Sequence, residues 1–238
     1  MLWYKAWLET RSRFLLSLIG MVVLCSVFVL HGDRTVIYDV AADYYNYVFF
    51  FCHQILAMMW VLAVTLSMMG GLLRERATGS SAFTLALPVN RTRLMMVRIC
   101  TGLIQAVALA IVPWMAMLSV GSIFGKTHSI SQAAFYLVLL LGGGALFFGI
   151  AVLVSSLISG EYTAPVVSFG AVIVTAVALS TVRLRPYSPW GFMTGSEYLN
   201  RQTGLLTWPI PWLQTAIYIL LAGLLLAISF QLIKRQEF

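Results

Sequence analysis

Charge is scarce in this chain. Asp, Glu, Lys and Arg make up 10% of its 238 residues, whereas soluble domains carry about 25%. Hydrophobic residues make up 61%. No soluble core hides that much apolar surface, so the bilayer must be the solvent. Cysteine is also sparse. Cys25, Cys52 and Cys100 lie in or beside apolar runs, without metal-ligand spacing and without the pattern of a disulfide framework. Catalytic signatures are missing: there is no HExxH, no GxSxG and no carboxylate pair inside an apolar run. The apolar runs hold almost no ionisable groups, which argues against a proton- or sodium-driven carrier.

Two partial signals need separate treatment. Gly121 to Thr127 reads GSIFGKT, close to a phosphate-binding loop. That loop needs a glycine five positions before the glycine of its GK pair, and Val120 stands there. The chain is therefore read as having no ATPase of its own. Of the histidines His31, His53 and His128, His53 alone falls within a span, beside Cys52 and Gln54. No second His, Asp or Glu stands three or four residues on to complete a metal pair. His53 reads as a hydrogen-bonded packing residue rather than a ligand.

What is present is a series of long apolar runs, about 14–30, 48–73, 94–121, 132–154, 164–182 and 212–233. Crossing the hydrocarbon takes roughly 20 residues, and helices satisfy their own backbone there. The expectation is an all-α integral membrane protein, one transmembrane domain over 1–238 with six spans. The first span is expected to be retained, because no small-residue cleavage site follows it. The third contains Pro113, a candidate kink. The fourth carries Gly142, Gly143, Gly144, Ala145 and Gly149, small residues that let helix backbones approach, here read as internal packing.

The formal charge of +7 is unevenly placed. Ten of the fifteen cations fall on one side of the expected topology: Lys5, Arg11, Arg13, Arg74, Arg76, Arg91, Arg93, Arg98, Lys234 and Arg235. Under the positive-inside rule this puts both termini and the 74–93 loop in the cytoplasm, in a cytoplasmic (inner) membrane. The basic balance then reflects topology and anionic headgroups, not nucleic acid. Residues 1–13 set Trp3, Trp7 and Leu8 against Lys5, Glu9, Arg11 and Arg13, the pattern of a short amphipathic helix lying in the interface. The 183–211 segment holds four prolines among Tyr187, Trp190, Phe192, Tyr198 and Trp208. It is too polar to span and too aromatic for a free loop, so short interfacial or re-entrant helices on the outer face are expected.

The segment 74–91, RERATGSSAFTLALPVNR, is polar, charged and punctuated by Gly79 and Pro88 between two long spans. Glu75 follows the second span, Gly79-Ser80 comes next, and an apolar run through Phe83, Leu85 and Leu87 ends in Pro88 and Arg91. This order, with six spans, an N-terminal amphipathic helix and an aromatic segment between spans five and six, resembles the ABC-2-type permeases, the membrane subunits of type-two ABC exporters. That family often has a lysine at the head of the third span; here Arg98 is the nearest cation.

The resemblance implies that Glu75, Gly79, Phe83, Leu85, Leu87, Pro88 and Arg91 belong to a coupling helix. That helix would dock on a separate cytoplasmic ATPase, present in two copies and holding the ATP and magnesium. A second permease copy, as a homodimer or a related heterodimer, would complete the unit. The apolar spans imply a hydrophobic or amphiphilic cargo: a lipid, a peptide or a drug-like compound. The alternatives are an ATP-independent carrier or channel, and a membrane-embedded enzyme built on His53.

Overall fold

In the computed structural model the described residues are 2–31, 44–68, 91–125, 128–158, 163–178, 187–200, 202–207 and 209–235. Among them the fold is all-helical. Its helices are α1 (Leu2–His31), α2 (Tyr44–Ser67), α3 (Arg91–Ile123), α4 (Ile130–Leu157), α5 (Thr163–Ala178), α6 (Pro189–Thr194) and α7 (Trp212–Arg235). Five of these are long and apolar enough to cross a membrane: α1, α2, α3, α4 and α7. The expected fifth span, 164–182, corresponds to α5, whose described part has 16 residues. At 1.5 Å per residue that is about 24 Å of helix, short of a roughly 30 Å core.

Helix α4 is the centre of the bundle. It packs most extensively on α7 and also meets α6, α5, α2 and α3. Its glycines make those approaches possible. A Cβ on Gly143 would lie 2.9 Å from Met193 Cβ and 3.0 Å from the Pro189 carbonyl oxygen, both in or beside α6. A Cβ on Gly144 would lie 2.6 Å from the Trp60 ring, and one on Gly149 3.3 Å from the Ala222 backbone of α7. The small residues of this span therefore serve packing within the chain. The core is aromatic-rich, with Trp60, Trp114, Tyr136, Phe49, Phe135, Phe147 and Phe192 almost fully buried.

Two segments add local detail to what was expected. From Leu2, the residues of the expected interfacial helix are the opening turns of the continuous α1. Neither Gly nor Pro interrupts 2–19, and Thr10 donates its hydroxyl back to the Ala6 carbonyl at 3.1 Å, within the helix. Thr10 also accepts from Gln105 Nε2 at 2.6 Å, pinning α1 to α3. The 183–211 segment has one short helix, α6, among its described residues, followed by a tight hairpin rather than a second helix. Gly195, at φ 70°, ends α6, and Gly204, at φ 67°, turns the hairpin.

Candidate functional site

One end of the bundle carries most of the described long-range polar contacts. The start of α2, the end of α3, the α3–α4 linker and the starts of α4 and α7 meet there, beneath a cap formed by 187–200 and 202–207. Ser188 caps α6, accepting from the Gly191 amide at 3.3 Å, and Pro189 occupies the first turn. In the hairpin, the Asn200 amide donates to the Leu205 carbonyl at 2.9 Å and the Thr207 amide to the Tyr198 carbonyl at 2.8 Å.

Span side chains hold this cap by its backbone. Gln132 on α4 donates Nε2 to the Leu206 carbonyl at 3.2 Å and accepts from the Leu206 amide at 3.0 Å. His53 on α2 donates Nε2 to the Met193 carbonyl at 3.0 Å, and Gln54 donates to the Thr194 carbonyl at 3.2 Å. Asn46 donates to the Thr203 carbonyl at 3.2 Å. On α7, Tyr218 donates to the Tyr187 carbonyl at 3.1 Å, and Gln214 accepts from the Tyr198 hydroxyl. Away from bulk water such amides and hydroxyls are satisfied from within the protein.

Beneath the cap the rings of Phe49, Trp114, His128 and Tyr136 form a stack that His53 abuts. Trp114 and Tyr136 stack with centroids 5.2 Å apart, and Phe49 and His128 at 4.5 Å. His53 lies 4.6 Å from Tyr136 and 5.7 Å from Trp114. Four polar atoms in this group are buried and unpartnered: His53 Nδ1, Trp114 Nε1, His128 Nε2 and the Tyr136 hydroxyl oxygen. Burial lowers the His128 pKa to about 4, so this imidazole, in the linker outside the spans, is neutral near pH 7.

His53 is thus the packing histidine its sequence context implied, with one nitrogen in use. Trp114, Tyr136, Gln132 and Asn46 carry no motif in the sequence, and Gln54 and His128 stand there without an evident partner. Uncharged amides inside apolar runs were the available signal, since a polar group in a membrane span is retained for a reason. Among the described residues no group of three or more His, Cys, Asp and Glu is placed to hold a metal ion.

Glu75, Gly79, Phe83, Leu85, Leu87 and Pro88 lie outside the described residues, and Arg91 is the first residue of α3. The N-terminal residues lie toward the opposite end. Trp3 and Trp7 are exposed, with Trp7 edge-on to the Phe14 ring at 5.6 Å. Arg11 is exposed and Arg13 half-buried. No family model, curated protein or solved structure matches the chain.

Proposed function

We propose that the chain is the permease subunit of an ATP-driven exporter, moving an amphiphilic or hydrophobic cargo across the cytoplasmic membrane. In this reading α5 and the residues after it complete a sixth span, and both termini are cytoplasmic. The cap of 187–207 faces outward. A second permease copy and two copies of a separate ATPase complete the assembly, and ATP and magnesium belong to that ATPase.

The observation that carries the reading is the segment RERATGSSAFTLALPVNR between α2 and α3. Ser80, Ser81 and Thr84 supply capping hydroxyls, Phe83, Leu85 and Leu87 supply apolar anchors, and Pro88 stops a helix. Support also comes from how the two flanking helices join the bundle. Trp60 on α2 donates its indole N–H to the Ala106 carbonyl on α3 at 2.8 Å. Ser155 on α4 donates to the Met68 carbonyl at the end of α2 at 3.1 Å. A push on the 74–91 segment would reach α2, α3 and α4 through these joints.

The test is purification of the tagged chain with its ATPase. Phe83→Ala should preserve membrane insertion and weaken docking by about 2 kcal/mol, the typical loss for a buried aromatic anchor. That corresponds to roughly a thirtyfold drop in ATPase affinity. Glu75→Ala and Pro88→Ala should lower cargo-stimulated hydrolysis while leaving insertion intact. Wild-type ATPase binding and transport in Phe83→Ala would remove the reading's residue-level basis.

A further inference from the structure

The four unpartnered atoms beneath the cap have defined hydrogen-bonding roles. The Met193 carbonyl can only accept, so His53 carries its proton on Nε2, and Nδ1 is left as a bare acceptor. Asn46 spends its amide N–H on the Thr203 carbonyl, so its Oδ1 accepts from His128 Nδ1 at 3.2 Å. His128 Nε2 is then the second bare acceptor. Trp114 Nε1 can only donate, and the Tyr136 hydroxyl donates and accepts. The set amounts to two acceptors and two donors.

These atoms belong to four different parts of the chain: α2, α3, the α3–α4 linker and α4. Five of the six pairs among the His53, Trp114, His128 and Tyr136 rings lie 4.6–6.4 Å apart, centroid to centroid. Phe49 covers the face of His128, and His53, Trp114 and Tyr136 are buried to 1% exposure or less. Burying a polar atom without a partner is unfavourable, and four such atoms are carried by these packed rings.

We propose that this group is a binding site for an internal water molecule, which donates to His53 Nδ1 and His128 Nε2 and accepts from Trp114 and Tyr136. Water is the smallest molecule with two donors and two acceptors, and buried waters typically make about three such bonds. A primary ammonium group has three donors and no acceptor, so it would leave the Trp114 N–H unsatisfied. The bound water joins three spans and the linker under the cap, where no direct side-chain bond among the four is made. The site does not depend on the exporter reading.

The experiment is solid-state NMR on the full-length protein, with ¹⁵N-labelled histidine, in hydrated lipid bilayers. His53→Gln and His128→Gln each delete one set of signals and so assign them. The expected result is that His53 Nδ1 and His128 Nε2 are unprotonated, shifted upfield as hydrogen-bonded acceptors, and polarised early from water protons. Tyr136→Phe should preserve that transfer, because the water keeps three partners. If Tyr136→Phe does not fold, Trp114→Phe applies the same test. A bare, non-bonded signal at either nitrogen overturns the site. Loss of the hydrogen-bonded shift in Tyr136→Phe, with no water transfer in the wild type, also overturns it, since the tyrosine itself would then be the partner. Polarisation from lipid protons in place of water protons has the same consequence.

Discussion

Gln132→Met should detach the cap. Leu199 and Leu206 face each other across the hairpin as a non-hydrogen-bonded pair, because the flanking bonds run from Asn200 to Leu205 and from Thr207 to Tyr198. The amide and carbonyl of Leu206 therefore point away from its partner strand. Gln132 meets both, at 3.0 and 3.2 Å, and acts as a one-residue substitute for a third strand. Leu206 is 2% exposed, so water cannot take over either bond. Methionine has nearly the volume of glutamine and neither polar atom. Each Leu206 group left bare costs about 1–3 kcal/mol. The lower bound for two is about 2 kcal/mol, roughly a thirtyfold rise in the population of the detached cap.

Hydrogen exchange in lipid nanodiscs reads this directly. The Leu206 amide loses its acceptor trivially in the variant, so the informative amides are Asn200 and Thr207, whose own bonds lie within the hairpin. Both should exchange roughly thirtyfold faster if the cap opens as a unit. Unchanged exchange at both would mean that the hairpin is held by its apolar contacts alone, and the tethering argument would fail.

Gly143→Ala should destabilise the fold by about 1–3 kcal/mol, because the new methyl meets the α6 backbone at 3.0–3.2 Å. Gly20→Ala, with nothing within 4 Å, should be neutral or stabilising by up to about 1 kcal/mol; paired thermal melts compare the two. Acid should weaken the cap end through His128, whose folded pKa lies at about 4 against an ordinary 6.5. The unfolded chain binds the proton first, so stability is full above about 6.5 and falls as the pH drops towards about 4. His128→Gln should flatten that part of a stability–pH curve, and an unchanged slope would assign the effect elsewhere. Ser196→Cys, exposed, should react with an impermeant thiol reagent added outside the cell, whereas Ser188→Cys, buried at 3%, should not. Reaction of Ser196→Cys from the cytoplasmic side alone would invert the orientation.

The long helices were legible in the sequence because their signal is local. Length and mean hydropathy alone separate α1, α2, α3, α4 and α7 from their connections. Continuity at the start of α1 was not legible. The amphipathic pattern of 1–13 is real, and Trp3 and Trp7 are exposed as it requires, but a pattern of faces does not say where a helix stops. That depends on a break, and Thr10 supplies none because its hydroxyl donates to the Ala6 carbonyl within the helix and accepts from Gln105. The short α6 was half-legible. Ser188-Pro189 and Gly195 are ordinary start and stop signals, whereas the hairpin after them needed Gly204 to be recognised as a left-handed turn.

The site itself was hidden by distance along the chain. Gln132 and Leu206 are 74 residues apart, and His53 and Met193 are 140. No spacing rule in a single sequence links such pairs. Ionisable groups in spans are conspicuous, so His53 stood out, yet the cap is held mainly by uncharged amides and hydroxyls whose partners are backbone atoms. In water each of these would count for little, since solvent competes for the same bonds. In a span the alternative is an unpaired dipole in hydrocarbon, so Gln54, Gln132 and Gln214 carry structural information that the same residues on a soluble surface would not. A polar side chain in an apolar run therefore implies a partner elsewhere in the chain, and backbone outside the long helices, such as 187–200 and 202–207, is where to look for it.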